Sequence, residues 1–401
     1  MNTQMTFLRS QVVWVGFLAS LLALCLVSDQ GQANDSGPAI AAEPEVDSRL
    51  VALAKRVEPE LAGREALLSH YVDYYRRSMV NDTRLVAFNV TALADGDGGV
   101  TLGGYCEFEE SRQGVEGYLA AMGFDRIENE IEIVPSASLG EQRFAVVKVE
   151  STLSYASPDE GEVVTDCLLG EPLFLLSATA GHFLAHSGEG YLGYIRVADV
   201  ERLSEAEFTQ YLSGPTVVMK QDLEDEGVLL PTGGRLRLVS HSDGGVTAEL
   251  PGAGEFGFAD SYCEISREAA PWAPGVIEAA SAMRGTPYLW GGKTAKGVDC
   301  SGLVQVAFAG SGVSVPRDAD QQFNVGQLTA TRWCRGGMRA GDTMYFINDY
   351  GKISHTAIYL GGDRYLHAQM PEVGVNSLDP ADPTYLENRD LTFVFAKRFL
   401  D

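Results

Sequence analysis

The chain has 401 residues, 45% of them hydrophobic and 21% charged, which is enough apolar content for several packed domains and too much for a disordered chain. A formal net charge of −25, from 30 Lys and Arg against 55 Asp and Glu, repels phosphate backbones and anionic membrane surfaces, so nucleic acid is not expected as a partner. With 44 glycines and 9% aromatic residues, the composition fits a loop-rich protein containing β-sheet rather than a helical bundle.

At the start of the chain, Arg9 precedes an apolar run from Val12 to Val27 that falls short of the roughly 18 residues a membrane-spanning helix needs. Gly31-Gln32-Ala33 then supplies small residues for cleavage after Ala33. Residues 1–33 therefore read as a signal peptide, and the mature chain is expected to be exported, periplasmic or extracellular, without a membrane span. A lipid anchor at Cys25 is the competing possibility, set against the bulk of Leu24. Without Cys25, five cysteines remain (Cys106, Cys167, Cys263, Cys300 and Cys334), and an odd number leaves at least one thiol unpaired. Pairing among the other four stays open. His182 and His186 stand four apart, but no Glu follows His182, so neither a zinc peptidase motif nor any other metal site is expected.

After an acidic linker, Leu50 to Tyr75 is helix-rich in composition. Two strand-like runs follow, Arg84 to Thr91 and Gly99 to Glu107, with turn residues 94–99 between them. Apolar Val115, Tyr118, Leu119 and Met122 mark a helix, and Ile127 to Val134 a strand. This ββαβ unit, carried by Gly99-Val100-Thr101-Leu102-Gly103-Gly104, resembles the BON class of small envelope domains and is assigned residues 34–141.

From Phe144 to about Ser266 an internal repeat runs with a shift of about 63 residues. Gly170, Leu173 and Leu175 recur as Gly233, Leu236 and Leu238, and Gly190, Leu192, Gly193 and Tyr194 as Gly254, Phe256, Gly257 and Phe258. Each copy is expected to be a small antiparallel barrel. The runs Glu162 to Glu171 and Gly190-Tyr191-Leu192-Gly193-Tyr194 resemble the bacterial SH3-like domains of cell-wall enzymes, placed at 142–203 and 204–268. Ser204 with Glu207 predicts a capping box opening a helix to Leu212.

Residues 269–401 have a different grammar. Two helical runs, Val276 to Met283 and Ser301 to Ala309, precede strands at Thr343 to Ile347, His355 to Leu360, Tyr365 to Gln369 and Leu391 to Phe399, an α+β pattern. Cys300 opens the second helix with Asp299 as its N-cap. The helix N-terminus and a nearby imidazolium lower a thiol from about 8.5 to roughly 3.5–7.5, which predicts a thiolate nucleophile. A buried or disulfide-bonded thiol is the bland alternative. His355 and His367 flank the turn Gly361-Gly362-Asp363, so they are expected as cross-strand neighbours about 4.5 to 5.5 Å apart at Cβ, one orienting the other. Nucleophile, base and orienter together are the parts of a cysteine hydrolase.

Tyr288-Leu289-Trp290-Gly291-Gly292, Asp299-Cys300-Ser301-Gly302-Leu303, Val315-Pro316-Arg317, Ala340-Gly341-Asp342, Ser354 to Gly361 and His367-Ala368 occur in that order and together resemble the NlpC-type (NlpC/P60) peptidases of bacterial cell walls. The resemblance implies a papain-like α+β domain behind two SH3-like β-barrels and the N-terminal ββαβ domain. It implies cleavage of peptidoglycan-derived peptides between γ-D-glutamate and diaminopimelate or lysine, with no cofactor. Cys300 matches the nucleophile, His355 the base, His367 the third polar residue and Tyr288 the tyrosine at the oxyanion. Asp299, Ser301 and Trp290 stand at substrate-contacting positions, with helix capping as the alternative for Asp299 and Ser301. Asp318, in Pro316-Arg317-Asp318-Ala319, resembles the subgroup that binds the ammonium group of a free N-terminal L-alanine, with a plain helix N-cap as the alternative. In that subgroup a tyrosine of the first SH3-like domain closes the cleft, and Tyr155 is the candidate. The alternatives are an N-acetylmuramoyl-L-alanine amidase of the same fold and a non-catalytic wall-binding protein.

Overall fold

The computed structural model describes residues 48–225, 227–266, 273–309 and 311–400. The signal peptide, its cleavage site and Cys25 lie outside the described residues.

The helix-rich start resolves into three helices, Ser48–Val57, Leu61–Glu65 and Leu68–Met79. The first hairpin pairs Phe88–Ala94 with Gly99–Cys106, four residues later at its start than expected, which leaves Arg84 in a loop. Val115, Tyr118, Leu119 and Met122 do form the buried stripe of one helix, Glu109–Met122. The expected strand beyond it is broken into Arg126–Asn129 and Glu132–Ile133, both parallel to Gly99–Cys106.

The two copies of the internal repeat lie in separate sheets. The first belongs to a seven-stranded sheet with spatial order Val200–Leu203, Phe144–Val147, Pro172–Ala178, His182–His186, Leu192–Arg196, Ser151–Tyr155 and Val163–Leu168. The second belongs to a five-stranded sheet ordered Gly254–Ala259, Gly245–Leu250, Arg235–Ser242, Thr216–Met219 and Cys263–Ser266. Leu173 and Leu175 are buried in one core, Leu236 and Leu238 in the other. The connecting helix Glu205–Leu212 carries the capping box read at Ser204 and Glu207.

The C-terminal part centres on a six-stranded sheet ordered Gln327–Thr331, Phe393–Arg398, Thr343–Ile347, Ile353–Gly361, Arg364–Gln369 and Glu372–Ser377. Alternate strand positions feed two cores. Ile358 and Leu366 pack with Leu303, Ala307 and Phe308 of the helix Cys300–Ala309, while Ala357, Tyr359 and Tyr365 pack with Phe346 and Phe393 on the other face. The stretch expected as one strand from Leu391 begins as a short helix, Glu387–Thr392, and becomes a strand only at Phe393.

Among the described residues there is no disulfide: Cys106, Cys167, Cys263 and Cys300 are buried thiols and Cys334 is exposed. Cys106, Cys167 and Cys263 sit in three different hydrophobic cores, so the fold itself keeps them apart. No helix among the described residues is long and apolar enough to cross a membrane.

Candidate active site

Cys300 is the first residue of Cys300–Ala309, a helix whose positions through Phe308 are all buried. Asp299 anchors its start. One carboxylate oxygen accepts the Gly302 amide at 2.7 Å and the other the Gly291 amide at 2.8 Å. Arg317, itself 2% exposed, grips the same carboxylate through Nη1 at 3.1 Å and Nη2 at 2.6 Å. Its Nη1 also donates to Ser301 Oγ at 2.8 Å, and its Nε to Thr165 Oγ1 at 2.9 Å. Asp299 and Ser301, expected at the substrate, are thus buried and engaged in holding the helix.

The Thr356 amide, next to His355 in sequence, reaches the Cys300 sulfur and places the thiol against the histidine strand. The expected resting thiolate is corrected here. Complete burial, reinforced by Asp299, pushes the Cys300 thiol up to about 12, and the Thr356 and Ser301 amides and Arg317 offset only part of that rise. Burial thus favours the neutral thiol over the thiolate.

The histidines form a directed chain. Asn376 Nδ2 donates to the Thr384 carbonyl at 2.9 Å, which leaves its Oδ1 to accept from His367 Nε2–H, also at 2.9 Å. His367 Nδ1 must then accept from His355 Nε2–H, 2.8 Å away, so His355 keeps a bare lone pair on Nδ1. Burial holds His367 down at about 4 and His355 well below the usual imidazole range, with Arg389 acting in the same direction on both. Burial thus favours neutral rings, and the hydrogen-bond chain leaves His355 Nδ1 as an acceptor. The two are not directly opposed across the strands as expected. Ile358 faces Leu366 and Tyr359 faces Tyr365, a register that sets His367 level with Ala357. The turn lies at Gly362 and Asp363, with Gly361 opposite Arg364, rather than being centred on Gly361, and the rings meet as diagonal neighbours with centroids 5.0 Å apart.

Tyr288 is half-buried, and its hydroxyl is raised first by burial and then by the nearby Cys300 and Asp299. Trp290 is 59% exposed. Arg389 lies close enough to Cys300 and Tyr288 to feel their charge.

At Asp318 the structure departs from expectation. Asp318 precedes the helix Ala319–Phe323, and its amide donates to Gln321 Oε1 at 3.2 Å. Its Oδ2 accepts the Tyr191 hydroxyl at 3.0 Å and Arg84 Nη1 at 2.7 Å. Arg84 also reaches Asp320 and Asp82, tying the N-terminal part of the chain to this end of the site. Burial raises the Asp318 carboxyl, with Arg317 and Arg84 opposing. Tyr155 is not the tyrosine brought here. It is 8% exposed, pairs with Tyr194 in its sheet and meets the His182 ring edge-on at 6.5 Å. Tyr191 takes the position because the Leu192 amide, donating to the Arg84 carbonyl at 2.7 Å, pins the start of its strand beside Asp318. The sequence pattern missed Asn376, Tyr191, Arg84 and Arg389. Tyr191 alone carried a signal, as the residue after Gly190 in the repeated motif.

Residues 285–391 match the NlpC/P60 family. Curated relatives include a dipeptidyl-peptidase 6 of Lysinibacillus sphaericus, 29% identical over 259 residues that cover 58% of this chain and 91% of the relative. Another is a gamma-D-glutamyl-L-lysine dipeptidyl-peptidase of Bacillus subtilis (strain 168), 38% identical over 101 residues, 25% of this chain and 32% of that protein. Among solved structures, an NlpC/P60 family protein from Bacillus cereus ATCC 10987 shares the fold with a TM-score of 0.56 at 19% identity, over 64% of this chain and 100% of that one. A thiol at a helix start, a matched family segment and a shared fold agree: residues 285–391 form a papain-like NlpC/P60 domain, of the cysteine peptidase class.

Proposed function

We propose that the protein is an exported cysteine endopeptidase that hydrolyses the γ-D-glutamyl bond to diaminopimelate or lysine in peptidoglycan stem peptides, chiefly those with a free N-terminal L-alanine. The observation that carries the chemistry is the bare Nδ1 of His355, left as an acceptor by a hydrogen-bond chain anchored on the Thr384 carbonyl. In the proposed route, His355 takes the Cys300 proton as sulfur attacks the γ-carbonyl. The Cys300 amide and the Tyr288 hydroxyl face the oxyanion. The same proton then passes from His355 to the departing amine as the C–N bond breaks, leaving a thioester. Water, deprotonated by His355, hydrolyses the thioester and restores the thiol. A neutral pair suits this order of events, since the proton moves during attack rather than before it. The relative named for gamma-D-glutamyl-L-lysine cleavage supports the bond assignment.

Asp318 with Tyr191 is the proposed ammonium site. Arg84 already sits on it, but one guanidinium among Asp82, Asp318 and Asp320 leaves that cluster negative and still attractive to a substrate cation. Mass analysis of products from purified muropeptides tests the reaction. The expected products are L-alanyl-γ-D-glutamate and the remaining amino acid or peptide, and Cys300→Ala should yield neither. Release of muramic acid from L-alanine would instead make the enzyme an amidase. Asp318→Asn should cost free-amine peptides about 10- to 150-fold in kcat/KM, the loss of one charge-assisted hydrogen bond. Acetylating the amine should do the same to the native enzyme and little more to the variant. Equal cleavage of free and acetylated peptides by the native enzyme would remove the ammonium site and leave the peptidase intact.

A further inference from the structure

The short helix Glu387–Thr392 delivers Arg389 to the histidine side of the site. Its guanidinium carbon lies over the Phe346 ring, 5.6 Å from the centroid, and that ring's centroid is 5.5 Å from the His355 ring. The polar contact it makes is a long one, Nη2 to Gln369 Oε1 at 3.3 Å. Neighbouring arginines are matched differently: Arg317 has Asp299, Arg335 has Asp390 and Arg398 has Asp342. Arg389 makes no ion pair among the described residues, in a chain where acids outnumber bases by 55 to 30. Even its sequence neighbour Asp390 is committed, to Arg335 at 2.5 Å and to the Tyr385 hydroxyl at 3.2 Å.

A half-buried guanidinium laid over an aromatic ring, with one long hydrogen bond and no ion pair among the described residues, is poised to take a negative charge. A planar fork of this kind suits a carboxylate. The side it occupies is set by the chemistry, because His355 must protonate the departing amine and therefore lies toward the leaving group. Phe346 and Arg389 extend that side, whereas Asp318 and Tyr191 mark the acyl end. When the bond to an α-amine breaks, the released amino acid carries a carboxyl group one carbon from the nitrogen that takes the proton.

We infer that Arg389 binds a carboxylate of the released amino acid, so that the enzyme prefers stem peptides ending in a free acid at that residue over amidated or extended ones. This rests on the peptidase reading above. The carboxylate has two sources on the leaving residue, the α-carboxyl of either diamino acid and the distal carboxyl of diaminopimelate, and the guanidinium recognises both by the same fork.

The test compares L-Ala-γ-D-Glu-L-Lys with its C-terminal carboxamide, and the diaminopimelate peptide with each of its two carboxyls amidated in turn. The native enzyme should favour the lysine acid over the amide by about 10- to 150-fold in kcat/KM. Arg389→Gln should abolish the preference, so that acid and amide are cleaved at the same rate, and Arg389→Lys should keep part of it. In the diaminopimelate series, the amidation that removes the preference identifies the carboxylate held. Three results overturn the inference while the peptidase stands: equal cleavage of acid and amide, an Arg389→Gln loss shared equally by both, or a preference that follows the α-carboxyl of D-glutamate when that group is amidated instead. Failure of the native enzyme to cleave any of these peptides overturns the peptidase reading and the carboxylate site with it.

Discussion

Asn376 is the residue on which the proposed proton route turns. Its amide cannot flip without losing the Thr384 carbonyl, so it fixes His367 as an Nε2–H donor and, one bond further, His355 as an Nδ1 base. Asn376→Leu removes the acceptor and lets His367 adopt the other tautomer, in which Nδ1–H confronts His355. The expected result is a loss of about 10- to 100-fold in kcat with KM little changed. Steady-state kinetics on a single peptide checks it, and an equal loss in kcat/KM arising wholly from KM would show that Asn376 touches substrate instead. The roles proposed for Cys300, His355 and His367 rest on motifs, because each sits within a short run of distinctive neighbours. Asn376, Tyr191 and Arg84 were not, since each acts through a partner fixed by strand register or by contact between distant segments. Arg84 and Asp318 are 234 positions apart in the chain.

At the scale of elements, the helix Cys300–Ala309 is positioned by close backbone approach. A Cβ at Gly302 would run into the Gly292 carbonyl oxygen and would press within 3.1 Å of Asp299 Oδ1 and 3.2 Å of Lys293 Cγ. Gly291 holds φ at +81° and turns its amide onto Asp299, so the same loop both crowds and caps the helix. Gly285, Gly291, Gly292 and Gly297 crowd the sequence before Cys300, but that this helix start is the partner of Gly292 is set only by the fold. Intrinsic helix propensity favours Ala over Gly by about 1 kcal/mol. Overpacking against rigid backbone costs about 1 to 3 kcal/mol and should win. Gly302→Ala is therefore expected to lower the melting temperature and, by shifting Cys300, to cut kcat as well; a stabilised and fully active variant would show that the loop yields freely. The strand Glu372–Ser377, which carries Asn376, escaped the sequence pattern because Gly374 and Asn376 are poor strand formers. As the last strand of its sheet it pairs with Arg364–Gln369 on one side and is met on the other by isolated bridges, Glu372 with Pro287 and Ser377 with Tyr385.

Across the whole molecule, charged residues join parts of the chain that each have their own core. Arg317 reaches Thr165, Lys296 reaches Glu150, and Arg84 reaches Asp318 and Asp320. A further buried link is Lys293, in the loop before the Cys300 helix, with its side chain 5% exposed. Its Nζ lies 3.1 Å from Glu189 and 3.5 Å from Glu171, both contributed by the first repeat sheet region. Both carboxyl groups pair with this ammonium. Lys293 holds the Glu189 carboxyl below the usual carboxylate range, while burial and the neighbouring Glu189 push the Glu171 carboxyl above it. Lys293→Met keeps most of the side-chain volume and removes the charge, leaving two buried carboxyls without their ion-paired lysine, with only the more distant Arg235 and Arg317 to offset them. At neutral pH the loss should be about 3 to 5 kcal/mol, as for other broken buried pairs. The pH dependence has a definite sign. Without the cation both folded-state carboxyls are raised, so the folded variant binds more protons than its unfolded chain, and its stability falls as pH rises above the ordinary glutamate range. The deficit against native protein should therefore widen from about pH 4.5 to pH 8 and narrow on acidification. Adding Glu171→Gln to Lys293→Met should recover part of it at pH 8 and little at pH 4.5. Thermal melts of the three proteins across that range decide the matter: a deficit independent of pH would mean that Lys293 contributes packing, and that the contact between the repeat sheet and the peptidase domain does not depend on its charge.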